Sequence, residues 1–427
     1  MIEELKVEVE KNFGRKIANR GDCELLSDDL FKKLSINISY NTIRRLFGIS
    51  EYRKPRESTL DILAQYIGFN SFQDFIKRFY EIDVWPLWQQ LYVTLASGNS
   101  FQILEFLRTR KRKQDQFSIT FTIAIRELIN RKDSATLMLI FSDPIFQFDQ
   151  LPYDEVSQIG VLIGLHFRDF HDQKVEEALL KEPNFRDLVV KIFVDYSGLN
   201  SKYGQWIGYL NQLENTDYET RVFTKCLLIW KKYLNAELVN ASEMKELPEL
   251  SIDQHPILFG RLFGLKLLFA KTKSNKSKVI NKMKIRLVLQ PQFTTELLYE
   301  PAVQALVVGN IELDTLILVN QNQINHIHFW YHFSQLAIHK IFLVKEFILT
   351  KQFNKARNTL ENTEFGHIRY GYTELLAIYV TFFRLEIAKG LNEDTSSSMK
   401  EFEICRSKID YPLLDEVYFE NYFNKYK

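Results

Sequence analysis

Four side chains suited to nucleic-acid contact lie in one short stretch of the chain, at Tyr40, Asn41, Arg44 and Arg45. Arginine can bond guanine through two hydrogen bonds or pair with a phosphate, and asparagine can bond adenine in the same way. Tyrosine and asparagine side chains also donate hydrogen bonds to phosphate oxygens. The residue types therefore predict contact with DNA.

A helix must position these residues, and the surrounding sequence predicts one from Ser39 to Gly48. The Ser39 hydroxyl can cap the first turn, and Gly48 stands where a helix commonly ends in a left-handed conformation. Between them lies an apolar stripe at the i, i+3, i+4 spacing, formed by Ile43, Leu46 and Phe47. We expect this stripe to hold the helix to its domain while the four polar side chains project elsewhere.

The neighbouring segments complete a helix-turn-helix pattern. An amphipathic segment at 27–34 precedes the helix, and a short turn at 35–38 joins the two. A further helix begins near Ser58 or Thr59, carries apolar residues on one face and stops at Gly68.

Residues 13–75 resemble the helix-turn-helix domains of the Cro and phage-repressor type, through TIRRL at 42–46 and TLDILAQYIG from Thr59. They look closer still to a variant at the N-termini of many bacterial proteins, which has DC before its second helix and TxxRLFG in its third. Phe31 departs from the pattern, since a small residue there usually lets the two helices approach. The resemblance implies a DNA-binding domain at 1–80 that reads one half-site, so we expect a homodimer on double-stranded DNA.

Positive charge is concentrated in this part of the chain. Residues 11–56 contain five Lys and six Arg against five acidic residues, giving +6, whereas the whole chain carries +1. A local positive field can hold a phosphate backbone in a protein that is nearly neutral overall. Four residues are expected to add phosphate contacts: Lys32, Lys33, Arg53 and Lys54. The alternative is that surface helices simply carry Lys and Arg.

The composition and turn pattern of the chain predict an all-α protein, with stacked helical hairpins at 81–427. Gly (16) and Pro (10) are few for 427 residues, and long runs of Leu, Ile, Phe, Lys and Glu separate them. Short polar turns join amphipathic helices, and the segment from Ile348, with Ala356 at the helix crossing, resembles tetratricopeptide-type repeats. We expect an α-solenoid at 81–427 that binds a peptide or protein effector in its groove.

One polar stripe is a candidate for the lining of that groove: His328, His332, Gln335 and His339. These residues share one face at helical spacing. A metal site is an alternative, since His at i and i+4 can chelate a transition metal, but three or four ligands are usually needed and no others are visible nearby in sequence. The remaining alternative is a half-buried row of hydrogen-bonded histidines.

The residues give no support for catalysis, for a disulfide or for a bound metal or cofactor. Cys23, Cys226 and Cys405 form no ligand or disulfide pattern, and motifs of P-loop, metalloprotease and serine-hydrolase type are absent. We therefore expect no enzyme activity, no cofactor and no metal. The absence of a signal peptide and of a long apolar run predicts a cytoplasmic protein without membrane contact.

Two basic runs remain. RTRKRK at 108–113 could add phosphate contacts or be a solvated helix end, and KTKSNKSK at 271–278 is expected to be an exposed loop.

Taken together, the sequence predicts a transcription regulator in which a helical-repeat domain senses a peptide or protein and controls DNA binding. A rival hypothesis is an interaction scaffold whose first domain no longer binds DNA. A third is a helical enzyme whose site has no sequence motif.

Overall fold

The computed structural model of the protein describes residues 2–51, 55–80, 84–113, 116–168, 170–309, 314, 316–317, 320, 332–363 and 371–426. Within these residues the secondary structure is helical and contains no strand. The all-α prediction is confirmed. None of the helices in the described part of the chain has both the length and the apolar character needed to cross a membrane.

The chain divides into two compact units, which meet in sequence after Ser97. The division lies beyond the predicted boundary at residue 80. The first unit contains α1 Ile2–Phe13, α2 Arg20–Leu34, α3 Tyr40–Leu46, α4 Glu57–Tyr66, α5 Phe72–Tyr80 and α6 Val84–Ser97.

The second unit, Gly98–Lys427, contains the other helices within the described ranges. Its first part has α7 Ser100–Lys113, α8 Phe117–Asn130, α9 Ser134–Phe141, α10 Tyr153–Phe167, α11 Gln173–Lys181, α12 Pro183–Phe185, α13 Lys202–Gln212, α14 Tyr218–Leu234 and α15 Ala241–Lys245. Its second part has α16 Pro256–Leu268, α17 Lys273–Leu289, α18 Thr294–Val308, α19 His332–Leu349, α20 Phe353–Glu361, α21 Thr373–Gly390, α22 Ser396–Arg406 and α23 Glu416–Glu420. Shorter 3-10 turns lie at Pro144–Phe146, Phe148–Gln150, Tyr196–Gly198, Pro291–Phe293, Pro412–Leu414 and Tyr422–Tyr426, and a π turn at Arg186–Val190.

The first unit is built around one apolar core to which α1 to α5 all contribute. The buried residues follow helical spacing on each element, as with Leu60, Leu63 and Ala64 on α4. α2 packs on α3 and α4, and α4 also packs on α1 and α5. This core fixes which face of each short helix remains exposed.

The second unit is an α-solenoid in which helices pack mainly on near neighbours in the chain. α8 packs on α9 and α10, α16 on α17 and α18, and α21 on α20 and α22. The predicted hairpin at Ile348 is present as α19 and α20, and Ala356 is fully buried. Packing between successive hairpins buries faces that a single hairpin would leave in water.

Glycines allow close helix contacts at two GxxxG spacings of the sequence, Gly160/Gly164 and Gly260/Gly264. A Cβ at Gly160 would lie 2.2 Å from Leu188 O, and one at Gly164 would lie 2.2 Å from the Phe193 ring. A Cβ at Gly260 would lie 2.5 Å from Leu297 O, so α16 and α18 approach to backbone contact. By contrast, a Cβ at Gly208 would meet no atom within 4 Å.

The two basic runs belong to helices. The expectation of a loop at 271–278 is wrong, because Thr272 caps α17 by accepting a hydrogen bond from Asn275 N at 3.2 Å. The run at 108–113 forms the last turns of α7. There Arg108 forms an ion pair with Asp143 at 2.6 Å, so this cation of the run contributes to the packing of the unit.

A buried polar network joins distant parts of the second unit. Arg261 on α16 and Glu300 on α18 form an ion pair at 2.9 Å, and both side chains are almost fully buried. The hydroxyl groups of Tyr196 and Tyr372 donate to the same Glu300 oxygen, and the Arg261 Nε donates to the Tyr196 hydroxyl at 3.0 Å. The two tyrosine rings stack with centroids 4.4 Å apart. Every charge here has a partner, as a dry interior requires.

We predict that Glu300→Ala lowers the free energy of unfolding of the second unit by about 3–5 kcal/mol, because Arg261 is then left buried without its counter-charge. Urea unfolding followed by circular dichroism measures this. Glu416→Ala is the control, since Glu416 is exposed on α23 and its loss should change stability by about 0.5 kcal/mol or less. A loss below about 1 kcal/mol for Glu300→Ala would show that the network does not hold the unit together.

Candidate nucleic-acid interface

The helix that precedes the candidate interface is longer than the sequence predicted, and it begins with a reciprocal cap. The Asn19 side chain accepts from Asp22 N at 3.1 Å, and the Asp22 carboxylate accepts from Asn19 N at 3.2 Å. This capping box starts α2 well before the predicted Ser27. α2 ends at Leu34, and the C-cap residue Ser35, with a φ of 57°, turns the chain into the connection to α3.

The close contact between α2 and the turn involves Ser27. Its hydroxyl donates to the Ile38 carbonyl at 2.5 Å, and Cys23, one helical turn earlier, is fully buried. Phe31 lies away from this contact, because 57% of its surface is exposed. The bulky residue noted in the sequence therefore does not stand between the two helices.

Both predicted ends of the α3 segment are present. The Ser39 hydroxyl accepts from Asn41 N at 3.3 Å, and Gly48 has a φ of +72°, which favours glycine. α3 itself is short, with seven residues.

α3 has the two faces that its sequence predicted. Ile43 and Leu46 are 1% and 2% exposed and form part of the core, and Phe47 packs against that core from its edge. Asn41 and Arg45, four residues apart, are both exposed. Residues at this spacing share a helix face, so a polar pair projects outward from α3.

The other two predicted DNA contacts, Arg44 and Tyr40, interact with neighbouring side chains of the same unit. Arg44 is half-buried, and its Nη1 donates to Asn41 Oδ1 at 3.3 Å. The Tyr40 ring lies 5.0 Å from the Arg20 guanidinium, which is itself bonded to Glu24 at 2.7 Å. Arg44 and Asn41 thus form a preformed pair beside the exposed Arg45.

The predicted phosphate contacts differ in their availability. Lys33 pairs with Asp29 at 3.0 Å and lies over the Tyr66 ring, so it serves the α2–α4 contact. Hydrogen bonds from Tyr66 and Lys33 lower the pKa of Asp29, despite the opposing effect of burial. Lys32 is exposed, and Arg53 and Lys54 lie outside the described residues.

Ion pairs reduce the free positive charge of this region. Arg15 lies 3.6 Å from Asp22, and Arg20 lies 2.7 Å from Glu24. Four exposed cations remain without an ion-pair partner within the described residues: Lys16, Lys32, Arg45 and Arg56. Sequence reasoning did not single out Lys16 and Arg56, since no local pattern distinguishes an uncommitted cation from a paired one.

The histidine stripe is seen only in part. His328 lies outside the described residues, and only the backbone of His332 and Gln335, on α19, is described. His339 is 4% exposed and packs near Thr295 and Leu298 of α18, beside a void of about 20 Å³. Its Nε2 has no hydrogen-bond partner among the described residues, and burial lowers its pKa to about 4. His339 does not line an open groove.

No protein-family model, curated protein or solved structure matches the chain. Among the described residues, no group of three or more His, Cys, Asp or Glu side chains is arranged to hold a metal ion.

His339 predicts a pH dependence of stability. Below its usual pKa of 6.5 the unfolded chain takes up a proton, whereas the folded chain does so only near pH 4. The free energy of unfolding should therefore fall as the pH drops from 6.5 to 4, by about 2–3 kcal/mol in total from this residue.

Urea unfolding of the parent and His339→Leu between pH 7 and 4.5 isolates this contribution, because the other titrating groups are common to both proteins. The parent should lose stability more steeply than the variant. Parallel pH profiles would contradict a buried, neutral His339.

Proposed function

We propose that the protein is a DNA-binding transcription regulator. In this proposal α3 contacts the major groove, and the second unit binds a peptide or protein that controls DNA binding. The observation that carries it is the pair Asn41 and Arg45, exposed on the face of α3 opposite the buried Ile43 and Leu46.

The size and chemistry of α3 suit this role. Seven residues give a helix about 10 Å long, and the major groove is about 12 Å wide. Arg45 can bond the O6 and N7 of a guanine, and Asn41 can bond an adenine. Arg44, already oriented by Asn41 at 3.3 Å, can reach a base edge or a phosphate beside them.

The exposed cations support a phosphate-binding surface. Lys32 lies at the end of α2, Arg56 immediately precedes α4, and Lys16 lies between α1 and α2. Their ammonium and guanidinium groups have no carboxylate partner within the described ranges, so binding a phosphate would break no internal ion pair. Such binding releases counterions and weakens as salt rises.

The second unit supports the sensing part of the proposal. Stacked helical hairpins present a long surface to which extended segments of other proteins can bind. A peptide or protein that binds this unit changes the affinity for DNA only if it binds the DNA-competent state and the other state with different affinities.

A scaffold that contacts only proteins is the second candidate. It is favoured by the internal ion pairs of Arg15, Arg20 and Lys33, which remove part of the positive charge that the sequence concentrates here. The two candidates differ in one property, because a scaffold should not bind duplex DNA in a salt-dependent manner.

We predict that Arg44→Ala combined with Arg45→Ala weakens DNA binding at least about tenfold, since each lost base contact costs about 1–3 kcal/mol. Fluorescence anisotropy with labelled random duplex DNA at several salt concentrations measures the affinity. The melting temperature should change little, because Arg45 is exposed and Arg44 half-buried.

Two controls separate contact from folding. Lys245→Ala with Lys284→Ala removes two exposed cations from the second unit and should leave DNA affinity unchanged. Leu46→Ala should instead cost about 2–5 kcal/mol of stability in the first unit, because this side chain is 2% exposed. If the double arginine variant binds DNA as tightly as the parent, α3 is not a recognition helix.

The proposal includes a homodimer on DNA, because one such unit covers a half-site and two half-sites one helical turn apart give the usual affinity. Light scattering of the protein bound to a duplex should give the mass of two chains. A single chain per duplex at saturation would contradict this part of the proposal.

A further inference from the structure

A cavity of about 740 Å³ lies in the second unit, within the range of small-ligand sites. Four separate segments line it: 147–149, 183–192, 217–223 and 255–261. The third and fourth include the first turns of α14 and α16. We call this space the acidic cavity.

The charges that line the acidic cavity are mainly negative. Four carboxylates belong to it: Asp149, Asp187, Asp217 and Glu219. Lys191 is the cation that faces them, and it lies 2.6 Å from Asp187 and 3.7 Å from Asp217. The carboxylates therefore outnumber the lysine that is available to neutralise them.

The other basic groups of the lining do not offset this excess. Arg261 is almost fully buried, and its ion pair with Glu300 at 2.9 Å cancels its charge. The pKa of His255 is lowered by desolvation and by the nearby cations Arg261 and Arg286, so its imidazole is neutral at neutral pH.

Two of the carboxylates are uncommitted. Asp217 caps α14 by accepting from Thr220 N at 2.7 Å, and Asp187 is held by Lys191. Asp149 and Glu219 are exposed, and neither has a hydrogen bond or ion pair among the described residues. These two can accept hydrogen bonds from a ligand without breaking an internal bond.

An amide oxygen in the lining suits the same kind of ligand. Asn184 is 6% exposed and lines the acidic cavity. Its amide nitrogen donates to the Asp143 carbonyl at 2.8 Å, which fixes the orientation of the amide group. The Oδ1 atom is left without a partner among the described residues. An amide oxygen accepts hydrogen bonds, so this atom can receive one from an N–H group of a ligand.

The rest of the lining is apolar. Phe148, Ile192 and Phe223 contribute side chains, and Ile257 and Leu258 come from the first turn of α16. Tyr218, 61% exposed, adds an aromatic ring. Aromatic faces attract organic cations, and aliphatic side chains bury hydrocarbon, so the lining suits a cation with an apolar body.

We infer that the acidic cavity binds a primary ammonium or guanidinium group carried on an apolar body, as in a lysine or arginine side chain beside aliphatic residues of a peptide. Asp149 and Glu219 pair with the cation, the Asn184 oxygen accepts from it, and the apolar lining buries the attached hydrocarbon. That the acidic cavity is the effector site of the regulator rests on the proposed function. That the cavity binds such a cation rests on the cavity alone.

The test uses the full chain without DNA. Isothermal titration calorimetry compares the blocked tripeptide acetyl-Leu-Lys-Leu-amide with the same peptide carrying norleucine in place of lysine, which keeps the hydrocarbon and removes the charge. The lysine peptide should bind at least tenfold more tightly. n-Hexylamine serves as the free-amine probe. Tighter binding of the lysine peptide than of n-hexylamine identifies a peptide as the source of the cation. Equal affinity for the two identifies a small organic amine.

Asp149→Asn with Glu219→Gln should weaken binding of the lysine peptide at least tenfold and leave the norleucine peptide unchanged. Both residues are exposed, so folding should be preserved, which circular dichroism checks. The control is Glu416→Gln with Glu420→Gln, which removes two exposed carboxylates that do not line the cavity. This control should bind like the parent.

Three results would overturn the inference: no heat of binding with either amine probe at millimolar concentration, equal affinity for the charged and neutral peptides, or unchanged affinity in the cavity variant. None of them involves DNA. Loss of the DNA-binding proposal would leave this site standing, and loss of this site would leave DNA binding by α3 untouched.

Discussion

The ion pair between Arg261 and Glu300 is the constraint on which the second unit depends most. Two unlike charges removed from water are tolerated only when they meet each other and their remaining hydrogen-bonding atoms are satisfied. Here the hydroxyl groups of Tyr196 and Tyr372 complete the set, so segments far apart in sequence must converge on one point. Gly371 makes this possible, because a Cβ there would lie 1.7 Å from Val194 O. The network also keeps the charge of Arg261 neutralised beside the acidic cavity.

In the first unit the corresponding constraint is apolar. Leu46 and Ile43 must be buried for α3 to be stable, because seven residues are too few for an isolated helix in water. Once they are buried, the helix period leaves Asn41 and Arg45 outside. The same packing that stabilises α3 therefore determines which side chains a nucleic acid could meet. Stability and the proposed contact depend on different residues of one helix.

Local features of the fold could be predicted from the sequence because their causes are local. Ser39, Gly48 and the apolar stripe of α3 act within one or two helical turns, and the structure has them as predicted. The start of α17 could not be predicted from local sequence, because a run of Lys and Ser is typical of a loop. In the structure Thr272 caps this helix, and its residues Ile280 and Met283 are buried.

The candidate sites were less predictable, since they depend on partners distant in sequence. Lys33 looked available for phosphate, but Asp29 and Tyr66 hold it, and Tyr66 belongs to α4. His339 looked like a groove residue by spacing alone, whereas its burial depends on α18. The acidic cavity gave no signal in the sequence, because its four segments carry no shared motif and meet only in the folded unit.

The central claim is that α3 reads DNA, and a genome-wide selection of bound fragments tests it most directly. Fragmented genomic DNA is passed over the immobilised protein at moderate salt, and the retained fragments are sequenced for the parent and for Arg45→Ala. If α3 reads DNA, the parent should retain a limited set of fragments that share a short sequence, and the variant should lose that enrichment, because a lost guanine contact relaxes specificity. Retention of no fragments, or the same fragments with and without Arg45, would contradict it.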